Sequence, residues 1–279
     1  MAILVTGATG NVGAEVVDAL LAGGHQVRAL TRGDRPATLP ADVEAVGGDL
    51  NDPASLTDAL TGAEALFLLP GYADMAGIAA TAKAAGVRRI VQLSGSSAGS
   101  ADTGNAVTAY MNRSEAAVRE SGVAWTILRP FGFMSNTLRW LDQLRAGDVV
   151  SEPFANVPIA VIDPFDIGAV AAAALTSTAH EGKIYLLSGP ESLLPADRLR
   201  ILGAELGRDL KLDALSNEDA RTTMTAQMPV EYVDAFFSFY VDGTLDDSQP
   251  QPAVQQILGR APRTFTEWAK AHADAFRAV

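Results

Sequence analysis

The chain has 279 residues, 48% of them apolar, no cysteine, and a net charge of −12 from 21 basic and 33 acidic side chains. So many apolar residues can fill a large core, while disulfides and thiol nucleophiles are excluded. A surface this acidic repels a phosphate backbone, so direct nucleic-acid binding is not expected. The most tempting apolar run, Ala169–Ala174, is far too short to span a membrane. No signal-peptide pattern separates Met1 from the first strand, and the expected location is the cytoplasm.

A strand over Ile3–Thr6 runs into Thr6-Gly7-Ala8-Thr9-Gly10-Asn11-Val12-Gly13, and that loop opens a helix over Asn11–Ala22. A dinucleotide pyrophosphate needs this order. Gly7 allows the turn out of the strand, Gly10 lets phosphates approach the backbone, and Gly13 lets the helix pack close to the sheet. With Thr9, Asn11 and Val12 they form the expected phosphate cradle, backed by the helix N-terminus.

The second strand, Gln26–Thr31, ends in Thr31-Arg32-Gly33. No acid stands where a ribose 2′-hydroxyl would be held, and a guanidinium there suits a 2′-phosphate. Arg32 therefore points to NADPH over NADH; the alternative is a solvated loop charge partly neutralised by Asp34. Arg28, in mid-strand, suits a structural ion pair. A third strand over Val43–Val46 leads to Asp49-Leu50. Asp49 could accept from an adenine amino group while Leu50 packs on the ring; equally, Asp49 could bond its own turn.

Asp52-Pro53 starts a helix over Pro53–Leu60. A fourth strand over Ala65–Leu69 places Leu69 and Pro70 at the ribose. A helix over Met75–Ala85 precedes a fifth strand, Arg89–Leu93, whose end Ser94-Gly95-Ser96 should face the nicotinamide. Next come a helix over Val107–Glu120 and a sixth strand over Trp125–Leu128. Arg129-Pro130-Phe131-Gly132-Phe133 follows, expected beside the nicotinamide ring. Strand–helix alternation of this kind implies an α/β fold, a Rossmann-type doubly wound parallel sheet. A helix is expected at Phe133–Leu144, a strand at Ile159–Ile162, a helix at Asp166–Leu175 capped by Asp166, and a strand at Lys183–Leu187. Helices at Ala196–Leu206, Glu218–Gln227, Glu231–Tyr240 and Thr264–Phe276 follow. The expected division is a nucleotide-binding domain over 1–150, with 155–188 returning to the sheet, and a smaller, mainly helical C-terminal lobe over 189–279 for substrate or partner.

The Gly-x-x-Gly-x-x-Gly spacing resembles the short-chain dehydrogenase/reductase superfamily, in the atypical branch that holds NmrA-like proteins, quinone and dye reductases and isoflavone-reductase-like enzymes. The resemblance continues through Ser121-Gly122-Val123-Ala124-Trp125-Thr126-Ile127-Leu128-Arg129-Pro130, Phe133-Met134-Ser135-Asn136, Asp163-Pro164-Phe165-Asp166-Ile167 and Leu258-Gly259-Arg260-Ala261-Pro262-Arg263-Thr264-Phe265. In that family these stretches around the strand ends form the cofactor cleft. The chain departs from the superfamily at the catalytic step. Where a Tyr-x-x-x-Lys pair is usual, Tyr110 is followed four residues later by Ser114, and the lysine position of isoflavone-reductase-like proteins falls at about Asn112. Tyr110 is then either a substrate-facing phenol or a packing residue. Ser94 is either a donor to a substrate oxygen or a strand-end turn residue.

Without an acid/base pair, hydride transfer to an already electrophilic acceptor is favoured. Phe131, Phe133, Met134, Trp140, Phe154 and Phe165 follow the cofactor loops; Phe133, Met134 and Trp140 are the candidate pocket, with ordinary core as the alternative for each. The expected function is an NADPH-dependent reductase of quinone-like or other conjugated small molecules, using neither flavin nor metal. The alternatives are an NmrA-like redox sensor acting through a protein partner, and a biosynthetic reductase or isomerase. His25, His180 and His272 lie too far apart in sequence to suggest a metal site. A homodimer or a regulatory protein partner stays open.

Overall fold

The computed structural model describes residues 2–100 and 102–277. The first strand, β1 (Ala2–Val5), is followed by helix α1 (Asn11–Ala22), β2 (Gln26–Thr31) and β3 (Glu44–Gly47). A 3₁₀ turn at Pro53–Leu56 leads into the short α2 (Thr57–Leu60). Then come β4 (Ala63–Leu68), α3 (Met75–Ala84), β5 (Arg89–Leu93), α4 (Ala106–Glu120) and β6 (Ala124–Pro130). After a 3₁₀ segment at Met134–Trp140, the chain forms α5 (Leu141–Ala146), β7 (Val149–Glu152), α6 (Pro164–Thr176) and β8 (Lys183–Leu187). The rest comprises α7 (Pro195–Leu206), β9 (Lys211–Ala214), α8 (Asn217–Thr225), α9 (Val230–Tyr240), α10 (Ala253–Leu258) and α11 (Phe265–Arg277).

Seven strands form one parallel sheet in the order β3-β2-β1-β4-β5-β6-β8. The order reverses direction at β1, so a crevice opens at the carboxyl ends of β1 and β4. Alternation along β1 feeds two cores. Ile3 and Val5 pack with Val16, Leu20, Val170 and Ala174 on the α1/α6 face, while Leu4 packs with Leu66, Ile78, Ala82 and Val118 on the other. Helices α1 and α6 approach closely because Gly168 lies against the backbone of Glu15, where a Cβ would come within 2.6 Å. A third core, around Trp140, Leu202, Phe265 and Trp268, belongs to the C-terminal half.

Several elements differ from expectation. Ile159–Ile162 is no strand: Ile159 bridges to Leu193 and Ile162 to Phe133, which splits its backbone bonds between two partners. The cap of α6 is Asp163, whose carboxylate accepts from Phe165 N–H at 2.9 Å with Pro164 at the first helical position. Asp166 instead sits inside the first turn, buried, and takes Arg263 N–H at 2.7 Å. The helix expected over Phe133–Leu144 begins as 3₁₀. The parallel pair β7–β9 and helix α10 carry no turn or periodicity strong enough to be read from sequence. Among the described residues no helix is long and apolar enough to cross a membrane.

Candidate functional site

A cleft of about 720 Å³ lies at the switch point. Its floor is the β1–α1 loop, Gly7 through Gly13; its walls include Arg32, Asp49, Leu50, Leu69, Leu93 and Phe133. Thr6 ties the strand ends together: its hydroxyl donates to Phe67 O at 3.0 Å and accepts from Leu69 N–H at 3.0 Å. Gly7 holds φ +62°, the left-handed conformation that turns the chain out of β1. At Gly13 a Cβ would stand 2.0 Å from Gly7 O, so only glycine lets α1 start against this loop. No side chain caps α1 and no acid occupies its first turn. The N–H groups there have no competing carboxylate and are suited to an anion. This uncapped, glycine-cleared cradle fits a dinucleotide pyrophosphate.

Arg32 borders the cleft, exposed, with no ion pair within 4 Å among the described residues. Its neighbours are engaged elsewhere. Arg35 donates to the carbonyls of Leu39, Val43 and Pro40 and closes the loop after β2. Arg28 pairs with Glu44 at 2.7 Å and donates to Thr61 O at 2.6 Å. Asp49 does two things at once: its carboxylate takes Asn51 N–H at 2.9 Å as a turn residue, and it also borders the cleft. Pro70, Ser94, Pro130 and Phe131 do not wall the cleft. Phe131 is buried, its N–H donating to Leu187 O at 2.9 Å in the sheet.

Neither catalytic candidate is presented to the cleft. Ser94 is buried and donates to Glu115 at 2.7 Å, while Glu115 holds Arg129 in a two-pronged ion pair at 2.8 and 2.7 Å. Its hydroxyl is committed inward to Glu115, not toward the cleft. Tyr110 borders neither the cleft nor the cavity described next; it packs edge-on against Tyr232, 6.3 Å between centroids. Burial pushes its phenol pKa up, with Tyr232 adding to the shift, the opposite of what a lysine partner would do. Ser114, four residues on, is structural. It donates to Tyr110 O at 2.8 Å and accepts Gly71 N–H at 3.0 Å. Asn112 bonds Gly99 N–H at 2.7 Å and Ser100 O at 3.2 Å. The Tyr110→Phe variant is expected to change kcat/KM for a quinone by less than about threefold in a steady-state assay, because only packing is touched.

A second cavity, about 320 Å³, adjoins the cleft, and Phe133 walls both. Its other walls include Asn136, Arg139, Phe154, Arg198, Met228 and Tyr240. Of the six apolar residues expected around the pocket, Phe133 and Phe154 line it. Met134 and Trp140 are buried in the third core, and the Trp140 indole N–H donates to Glu152 at 2.8 Å. Phe165 lies under Arg263 instead, with the guanidinium carbon 3.4 Å from its ring centroid. Phe154 is in the cavity wall at φ +54°, the one non-glycine with positive φ among the described residues. Met224, Met228, Phe236 and Tyr240 were not legible as pocket residues, since an amphipathic helix does not announce what its apolar face covers.

The two halves are also joined by Ser96, whose hydroxyl donates to Asp247 at 2.8 Å. Burial pushes the Asp247 carboxyl up to about 6, the Ser96 bond opposing and Asp246 adding. Between the ordinary carboxylate range and that value, the folded protein holds a proton the unfolded chain releases, so stability falls as pH rises through this window. Asp247→Asn should match the parent near pH 4 and exceed it by up to about 3 kcal/mol at pH 7.5. Urea unfolding at both pH values measures this; a difference independent of pH would refute it.

Residues 7–178 match the model of a family described as NAD(P)H-binding. The chain belongs to that family. It is 42% identical to a (4-alkanoyl-5-oxo-2,5-dihydrofuran-3-yl)methyl phosphate reductase of Streptomyces griseus, covering 98% of this chain and 99% of that one. It is 35% identical to an NAD(P)H azoreductase of Xenophilus azovorans, covering 99% and 100%. An NADPH-dependent quinone oxidoreductase from Escherichia coli shares the fold, with a TM-score of 0.77 at 24% identity over 97% of this chain and 99% of that one. Matched over nearly its whole length with reductases, the chain is an NAD(P)H-dependent oxidoreductase.

Proposed function

We propose that this chain uses NADPH to reduce a quinone-like or otherwise conjugated acceptor, without flavin. The observation that carries the reading is the shared wall: Phe133 borders both the dinucleotide cleft and a separate, largely apolar cavity. The coenzyme, when bound, supplies the hydride. The chain's own residues bind, orient and exclude water. The backbone N–H groups of the β1–α1 loop hold the pyrophosphate, and Arg32 takes the 2′-phosphate. Phe133 separates the nicotinamide end from bulk solvent, and Phe154, Met228 and Phe236 hold a flat acceptor beside it. With Ser94 and Tyr110 turned elsewhere, catalysis rests on placement, and an electrophilic acceptor tolerates that. The proton that completes the reduction comes from solvent. The relatives are named for reduction of a dihydrofuranone and of azo compounds, both conjugated, which supports this acceptor class. We place the reaction in the cytoplasm, with a small molecule as partner.

The test mixes flavin-free protein with NADPH and a panel of quinones and azo dyes and follows loss of the nicotinamide absorbance. Turnover is expected with several acceptors. Tight NADPH binding with no turnover across the panel would overturn the reading in favour of a coenzyme-binding regulator.

A further inference from the structure

We propose that the smaller cavity carries an oxyanion site, built on Arg198 and Arg139, for a carboxylate or phosphate group of the acceptor. That the oxyanion belongs to an acceptor rests on the reductase reading; the site itself rests on the geometry that follows.

In a chain with net charge −12, this cavity is lined by two guanidiniums and one carboxylate, Glu152. Glu152 is already engaged. It pairs with Arg139 and accepts the Trp140 indole N–H at 2.8 Å. Arg198 is left over. It is 5% exposed, its Nε has no hydrogen-bond partner, and it forms no ion pair within 4 Å among the described residues. Its guanidinium carbon stands 5.7 Å from the Trp140 ring centroid.

Structural arginines in this molecule look different. Arg208 directs its donors to Asp148 and to the carbonyls of Leu144 and Gly147, at 2.8 to 3.0 Å. Arg35 directs its own to three carbonyls. A guanidinium desolvated without such partners is costly to bury, and a ligand oxyanion would satisfy it. Burial lowers the Arg198 pKa to about 10, with the nearby Glu152 charge opposing and Arg139 adding to the shift, so it stays cationic at neutral pH. Tyr240 faces the same cavity, its phenol pushed up to about 12 by burial and by Asp247, and so remains a hydrogen-bond donor. Two cations, one anion already paired and a neutral donor leave a net positive pocket with apolar walls. That is the chemistry of a flat molecule bearing one oxyanion.

The experiment saturates the protein with NADP⁺, so that the pyrophosphate cradle cannot capture the probe. Phenyl phosphate, benzoate and benzyl alcohol are then titrated by calorimetry. At least one anionic probe should bind about tenfold or more tighter than the alcohol, and the tighter of the two names the group. Arg198→Met and Arg139→Met should each weaken that probe by about tenfold or more, while Arg200→Met, on the exposed side of α7, should not. If Arg198→Met does not fold, Arg198→Lys and Arg139→Met decide. Equal binding of neutral and anionic probes, or variants that bind as the parent does, would overturn the site. Oxyanion binding without quinone turnover would leave the site standing and remove the quinone-like acceptor reading. Turnover without oxyanion binding would do the reverse.

Discussion

Gly10→Val should weaken coenzyme binding by about 100-fold or more while the fold survives. The nearest atom to a Cβ at Gly10 is Gly7 O at 3.3 Å, a contact a slight adjustment relieves. Gly10 has φ −86° and ψ 172°, which a β-branched residue adopts readily. The folded chain therefore accepts valine. The isopropyl group, however, fills the space over the α1 N-terminus that phosphates must enter. Kd for NADPH should rise about 100-fold or more, roughly 3 kcal/mol, with an unchanged far-ultraviolet circular dichroism spectrum. At Gly13, by contrast, the added carbon would meet Gly7 O at 2.0 Å and Gly7 C at 2.5 Å, so that variant should lose the fold as well. Undiminished binding by Gly10→Val would show that the loop does not cradle a pyrophosphate.

Arg32→Glu should separate the two coenzymes. Arg32 is exposed at the cleft and forms no ion pair among the described residues, so its replacement leaves no partner stranded. A carboxylate there would repel a 2′-phosphate and could accept from a 2′-hydroxyl. NADPH affinity should fall by about 100-fold or more while NADH changes by less than about threefold or improves. Fluorescence titration with both coenzymes measures this. Equal losses would remove Arg32 from phosphate recognition and shift attention to the backbone of the loop.

The fold was largely legible because its cues are local. Parallel strands are short runs set off by turn residues, and the expected Gln26–Thr31, Arg89–Leu93 and Lys183–Leu187 match the observed bounds. The glycine loop between β1 and α1, and its place at the cleft, are legible because three glycines between a strand and a helix have few other physical uses. The smaller cavity is not. Its walls come from the 3₁₀ segment, β7, α7, α8 and α9, separated by up to about a hundred residues and joined only by packing. Arg198 looks like any charge on an amphipathic helix until its burial is known. Ser94 and Trp140 misled for the same reason. Position at a strand end, or after one, says where a residue is but not which way its side chain turns.

Helix α10 lies far along the chain, yet Ala253 and Val254 are buried in the core shared by α1, α6 and β8. The core that holds β1 and α1 is thus finished by residues synthesised late. Without them, an apolar strip beside α6 would lie uncovered, the kind of surface that favours aggregation. A truncation after Gly189 would make that exposure permanent, so the coenzyme site should not be recoverable from the N-terminal piece alone.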